Sequence, residues 1–263
     1  MLEFALHAHE SPYMLAIIGG SGLTQLASLE VSRQQVVRTP YGEPSGALTF
    51  GRIGNQDVVF LARHGYGHTI PPHLVNYRAN IWALAREAGA RGIVSVASVG
   101  GIRADLGPGT LVIPDQIIDY TWGRQITFHD SGDAQVVHID FTEPYDQALR
   151  RRLIEAAAEA GQPVVNGAVY AAAQGPRLET AAEINRFERD GANIVGMTGM
   201  PEAALAREAG VPYAALTVVA NWAAGRADSA HGIHFENLEA VLQVAMVKVR
   251  RIIERLCVTG DAG

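Results

Sequence analysis

The sequence predicts a single α/β domain: a central mixed β-sheet flanked by helices. Three observations carry that prediction. Short apolar runs alternate with helix-period segments along nearly the whole chain. Glycine closes several of these segments. No linker, repeat or low-complexity stretch interrupts them. With 263 residues, 48 % hydrophobic and 18 % charged, the chain is long and apolar enough for one large core.

In chain order, residues 14–18 form an apolar run that breaks at Gly19-Gly20-Ser21-Gly22, a strand entering a glycine turn. Residues 48–53 and 58–62 read as two more strands joined at Gly54-Asn55. Residues 77–88 carry Ile81, Trp82, Leu84, Ala85 and Ala88 at helical spacing, with Gly89 as the stop. The β-branched run 93–99 suits a strand buried on both faces. A helix over 145–160 closes at Gly161, and a strand follows at 168–173. Thr180 and Glu183 have capping-box spacing for the next helix. A strand at 194–197 leads to Pro201, placed for a first helical turn. A strand at 213–220 and a helix at 236–256 complete the pattern. Residues 1–13 read as an N-terminal extension and 14–263 as the domain; the longest unpatterned stretches, 120–138 and 225–234, are of a kind that covers sites.

The formal net charge of −6 argues against a nucleic-acid partner. A lone cysteine, Cys257, rules out an intrachain disulfide and fits a reducing, cytoplasmic compartment; it reads as filler on a helix face. No apolar run approaches the ~20 residues of a membrane span, and residues 1–13 lack the features of a secretory signal.

Several segments could carry chemistry. Backbone N–H groups at Gly19-Gly20-Ser21-Gly22 can approach an anion, with the Ser21 hydroxyl as a further donor. Position 25 is Gln, so the dinucleotide fingerprint is incomplete, and no P-loop is present. Arg63 offers a planar fork of donors suited to phosphate. His64 and His68 are four apart, but Gly65 and Gly67 oppose a zinc-binding helix, so no metal is expected. Gly100-Gly101, Gln174 to Thr180, Gly196 to Glu202 and Asn221 stand at strand ends, where open α/β sheets bind ligands. Each also reads as an ordinary turn, cap or helix start.

Taken together, Gly19-Gly20-Ser21-Gly22, Arg63-His64-Gly65, Asn76-Tyr77-Arg78-Ala79-Asn80, Gly100-Gly101, Gly175-Pro176-Arg177-Leu178-Glu179-Thr180 and Gly196-Met197-Thr198-Gly199-Met200-Pro201-Glu202 resemble, in this order, the trimeric purine nucleoside phosphorylases and methylthioadenosine phosphorylases. The resemblance covers about residues 14–256. It implies a homotrimer, alone or paired as a dimer of trimers. It implies inorganic phosphate as co-substrate, with neither metal nor organic cofactor and no membrane partner. Ser21, Arg63, His64, Ser98 and Thr198 are then the phosphate ligands. Ala97 stands where relatives can carry one more hydroxyl. Met197 lies under the ribose, and His138 is lent to a neighbouring subunit's site.

The base pocket departs from the adenine-specific members, which carry Asp-x-Asp where this chain has Asn221 and Ala223. An amide both donates and accepts, suiting O6 and N7 of a 6-oxopurine. Glu179 is placed to face N1–H. Leu178 replaces an aromatic ring common in relatives, so stacking is weaker. Asn221 and His64 are the candidate catalytic residues. Phe235 and Leu238 suggest an apolar pocket for the 5′ group. The combination implies cleavage of methylthioinosine to hypoxanthine and 5-methylthioribose 1-phosphate. Inosine or guanosine phosphorolysis, methylthioadenosine phosphorolysis, hydrolysis without phosphate and a non-catalytic nucleoside-binding protein remain the alternatives.

Overall fold

The computed structural model describes residues 13–23, 25–130 and 135–258, the side chain of Asn237 apart. The expected extension lies outside these residues except for Tyr13, whose ring packs beneath the Arg152 guanidinium at 5.3 Å.

The strands are β1 (Met14–Gly19), β2 (Glu30–Gln35), β3 (Leu48–Ile53), β4 (Gln56–Ala62), β5 (Ala90–Gly101), β6 (Leu111–Ile113), β7 (Gln116–Asp119), β8 (Val165–Asn166), β9 (Val169–Ala172), β10 (Ile194–Gly196) and β11 (Tyr213–Trp222). The α-helices are α1 (Tyr77–Trp82), which runs on into a π-helical turn at Ala83–Glu87, α2 (Gln147–Glu159), α3 (Ala181–Arg189), α4 (Gly199–Glu208) and α5 (Phe235–Val258). All eleven strands join one mixed sheet.

The period-2 alternation of β1 divides its side chains between two cores. Ala16 and Ile18 pack with Ile81, Leu84 and Leu205 from α1, its π turn and α4. Leu15 and Ile17 pack with Leu149, Leu153, Val249 and Ile253 from α2 and α5. Cys257 is buried in this second core, as its place on the helix predicts. A sheet covered on both faces explains why its inner strands read as continuous apolar runs. Among the described residues no helix is long and apolar enough to cross a membrane.

The sheet splits around β5. β11 runs parallel to one edge of it from Ile93 to Gly101. The other edge is shared. β1 pairs with it as far as Ser95, and β10 joins it antiparallel at Gly100 and Gly101. Over residues 96–99 no strand among the described residues pairs with that edge. The glycine turn after β1 borders this gap on one side, and the end of β10 borders it on the other.

Candidate active site

The gap in β5 opens into a cavity of about 360 Å³, within the usual range for a small-molecule site. Its lining includes Ser21, Arg63, His64, Ser98, Leu178, Glu179, Met197, Thr198, Asn221 and Leu238, so seven chain segments predicted separately meet at one place. Two predicted residues are absent from it. His138 is exposed on the segment between β7 and α2. Phe235 is 68 % exposed at the first turn of α5. The buried stripe of that helix begins one turn later, at Leu238 and Leu242, so Ile233, not Phe235, joins Leu238 in the wall. This corrects the 5′-pocket expectation for Phe235 in the isolated chain.

One end of the cavity is set by a buried ion pair. Arg63 and Glu202 are both fully buried. Arg63 Nε donates to Glu202 Oε2 at 2.7 Å and Nη2 to Oε1 at 2.9 Å. Nη2 also donates to Ser95 Oγ at 2.6 Å and Nη1 to the Val96 carbonyl at 3.0 Å. Glu202 Oε1 further accepts from the Ser95 and Tyr213 hydroxyls, each at 2.8 Å. Burial opposes the Arg63 charge, but the contact with Glu202 more than offsets it and holds the pKa above its ordinary value. Four of its five N–H groups are engaged, which leaves one on Nη1. Gly20 makes room there, since a Cβ at that position would stand 2.9 Å from Nη1 and 2.5 Å from the Val96 carbonyl. Thus Arg63 brings one aimed donor rather than the open fork the sequence suggests.

Other donors line the same cavity. Thr198 is buried before α4, and its side chain makes no capping bond to the helix. The Val96 carbonyl faces the open edge of β5, so the alternation along a strand places the Ser98 N–H on that same edge. Ser21 Oγ lies 3.0 Å from Nε2 of His68, a cavity residue that sequence reasoning weighed only as a metal ligand. No group of three potential metal ligands occurs among the described residues. His64 Nδ1 lies 2.8 Å from the Ile70 carbonyl. A carbonyl only accepts, so Nδ1 carries the proton. Burial and the neighbouring Arg63 lower the His64 pKa to about 4, so the ring is neutral at pH 7.

At the other end, β11 bulges between Val219 and Asn221. The extra residue turns Asn221 toward the cavity, a common use of a bulge beside a site. Asn221 Nδ2 donates to the Trp222 carbonyl at 2.6 Å, leaving one N–H and Oδ1 for a ligand. Glu179 is partly buried, and burial raises its carboxyl pKa. Its neighbour Arg177 pairs with Glu183 and points away to solvent.

Arg124 went unnoticed in the sequence because it lies in the unpatterned stretch 120–138. It is nearly buried. Nη1 donates to the carbonyls of Met197 and Met200, Nη2 to those of Ala173 and Gln174, and Nε to the Gln174 side chain at 3.3 Å. One guanidinium therefore ties the loop after β7 to the segment leading to Glu179 and to the backbone of Met197 and Met200. Gly175, which has a positive φ, lets this segment pack on Met197; a Cβ there would come within 2.5 Å of Sδ. We expect Arg124→Met to weaken ligand binding at the Glu179 and Met197 part of the cavity at least ~10-fold with less effect at Arg63, and to cost about 2 kcal/mol of stability through unsatisfied carbonyls. Equal losses at both places would show that Arg124 does not act on the Glu179 part of the cavity.

Comparisons with known proteins bear on the whole chain. Residues 14–257 match the family model described as the phosphorylase superfamily. A relative in Pseudomonas syringae pv. tomato, named “Probable S-methyl-5′-thioinosine phosphorylase”, is 51 % identical over 241 residues, spanning 92 % of this chain and 97 % of its own. The 6-oxopurine nucleoside phosphorylase of Pyrococcus furiosus is 47 % identical over 216 residues, 80 % of each chain. Among solved structures, methylthioadenosine phosphorylase from Schistosoma mansoni in complex with adenine superposes with a TM-score of 0.90 at 32 % identity, covering 95 % of this chain and 93 % of its own.

Proposed function

Because the chain belongs to the phosphorylase superfamily, we propose that this cavity carries out phosphorolysis of S-methyl-5′-thioinosine, giving hypoxanthine and 5-methylthioribose 1-phosphate. The observation that carries this reading is the joint presence of Asn221 and Glu179 in one cavity with the apolar wall of Ile233 and Leu238. Relatives of about half identity named for methylthioinosine or 6-oxopurine nucleosides support it.

In the proposed reaction, Glu179 accepts the N1–H of the 6-oxopurine. The remaining Nδ2–H of Asn221 serves O6, and Oδ1 accepts a hydrogen bond from N7–H, where the purine takes up, through solvent, one proton in balance for the one that hydrogen phosphate loses as its oxygen bonds to carbon. The bond from the anomeric carbon to N9 loosens first. A phosphate oxygen, aimed by Ser21, Arg63, His64, Ser98 and Thr198, then bonds to that carbon from the opposite face. Positioning and charge placement supply the catalysis, with Met197 as the ribose floor and Leu178 as a weak stacking partner. No metal or organic cofactor enters this scheme.

The active unit in this proposal is a homotrimer in the cytoplasm, with His138 lent across the interface. Exposed Trp122, Ile126, Val136 and Val137 on the same segment support an interface there.

The test is purine release from methylthioinosine, inosine and methylthioadenosine, each with and without phosphate. Phosphate-dependent preference for methylthioinosine is the expected result. If inosine is preferred, the 5′-pocket assignment fails while the base assignment stands. If methylthioadenosine is preferred, the reading of Asn221 fails. Release without phosphate would indicate a hydrolase, and binding without release a nucleoside-binding protein.

A further inference from the structure

The phosphate end of the cavity contains donors and one obligate acceptor. The Arg63 Nη1–H and the Ser98 N–H can only donate, and the hydroxyls of Ser21, Ser98 and Thr198 can turn either way. His64 is different. Its Nδ1–H is committed to the Ile70 carbonyl, so Nε2, on the opposite edge of the ring, presents a lone pair to the cavity that His64 lines. A lone pair facing an anion is unfavourable unless the anion brings a proton to that point.

We propose that His64 Nε2 accepts a hydrogen bond from a P–OH of hydrogen phosphate, so that the site selects tetrahedral oxyanions carrying a proton and rejects those without one. The inference rests on the assignment of this end of the cavity to phosphate. Phosphate and arsenate carry a proton near neutral pH, and sulfate, similar in shape and charge, does not. A protonless anion meets the Nε2 lone pair with its own, or binds only the rare enzyme whose His64 is charged. The groups facing the ring are Arg63 and His68 beside it, the Ile70 carbonyl on Nδ1 and Glu202 behind Arg63. Arg63 opposes charging of the ring, and Glu202 only partly counters it.

The experiment is inhibition of phosphate-dependent purine release by sulfate at constant ionic strength, using the full-length protein, with arsenate as the proton-bearing control. Near neutral pH the inhibition constant of sulfate should exceed the KM for phosphate by about 30–100-fold, the scale of one mismatched buried hydrogen bond, while arsenate should replace phosphate as co-substrate. Sulfate should tighten by about tenfold per unit of pH lowered toward the His64 pKa, following the charged fraction of the ring. His64→Gln, whose amide can turn an N–H toward the anion, should collapse the phosphate-to-sulfate ratio to within a few-fold. His68→Asn should keep it. Sulfate competing within about threefold of phosphate in the unmodified enzyme would overturn the inference and leave phosphorolysis standing. So would an unchanged ratio in His64→Gln that melts normally. Turnover that ignores phosphate altogether would overturn both.

Discussion

Replacing Glu202 by alanine is expected to destabilise the fold by about 3–5 kcal/mol, the range for breaking a buried ion pair from one side. Arg63 has no exposed surface, and its charge would remain with only the Ser95 hydroxyl and the Val96 carbonyl as partners. The Ser95 and Tyr213 hydroxyls would lose their shared acceptor in the same step. Glu202→Gln should cost less, because an amide oxygen still accepts while the charge is removed. Both variants should raise the KM for phosphate, since the two bonds to Glu202 fix the plane of the guanidinium and so the aim of its remaining N–H. Denaturant melts compared with initial rates separate the two effects. A loss below about 1 kcal/mol in Glu202→Ala would mean that the pair is not what holds Arg63 in place.

Asn221→Ala is expected to lower kcat by about 10²–10³, the cost of one hydrogen-bonding group aimed at developing charge. Stability should change little, because Asn221 is only half-buried and, among the described residues, its side chain bonds only Trp222. The KM for phosphate should also hold, since Asn221 stands at the end of the cavity proposed to take the base. Near-full activity on inosine-type substrates would remove Asn221 from the leaving-group role. Asn221→Asp provides a second readout. An acceptor-only side chain suits a 6-amino purine, so the variant should shift relative kcat/KM toward methylthioadenosine.

The legible parts of the fold were those that alternation and caps announce. β3 has the predicted bounds, and β1, β5, β10 and β11 contain the predicted runs or most of them. Thr180 and Glu183 form the predicted reciprocal cap. Met200 is non-helical, so regular α4 geometry begins at Pro201, where the sequence placed it. β2 was missed because Glu-Val-Ser-Arg-Gln-Gln has almost no apolar signal; it is an exposed edge held by pairing to β3. β6, β7 and β8 were missed because two to four residues show no periodicity. Of the site, the residues carried by glycine turns and strand ends were legible, because those positions converge in any open α/β sheet. Arg124 and Ile233 lie in irregular segments where no period marks an inward residue. Glu202 was visible as part of its motif, but its pairing with Arg63 spans 139 residues and exists only in three dimensions. Phe235 was misplaced because spacing indicates a helix face but not how far that face extends over the sheet.

The unpaired edge of β5 has a consequence for self-association. A bare strand edge is ordinarily a template on which another chain can add, and proteins protect such edges with charges, bulges or coverings. Here the bare stretch is four residues long and internal, closed off by β1 before it and β10 after it. A foreign strand has no room to extend in either direction. The backbone groups that would invite aggregation on an outer edge are thereby kept open only to something the size of a small anion.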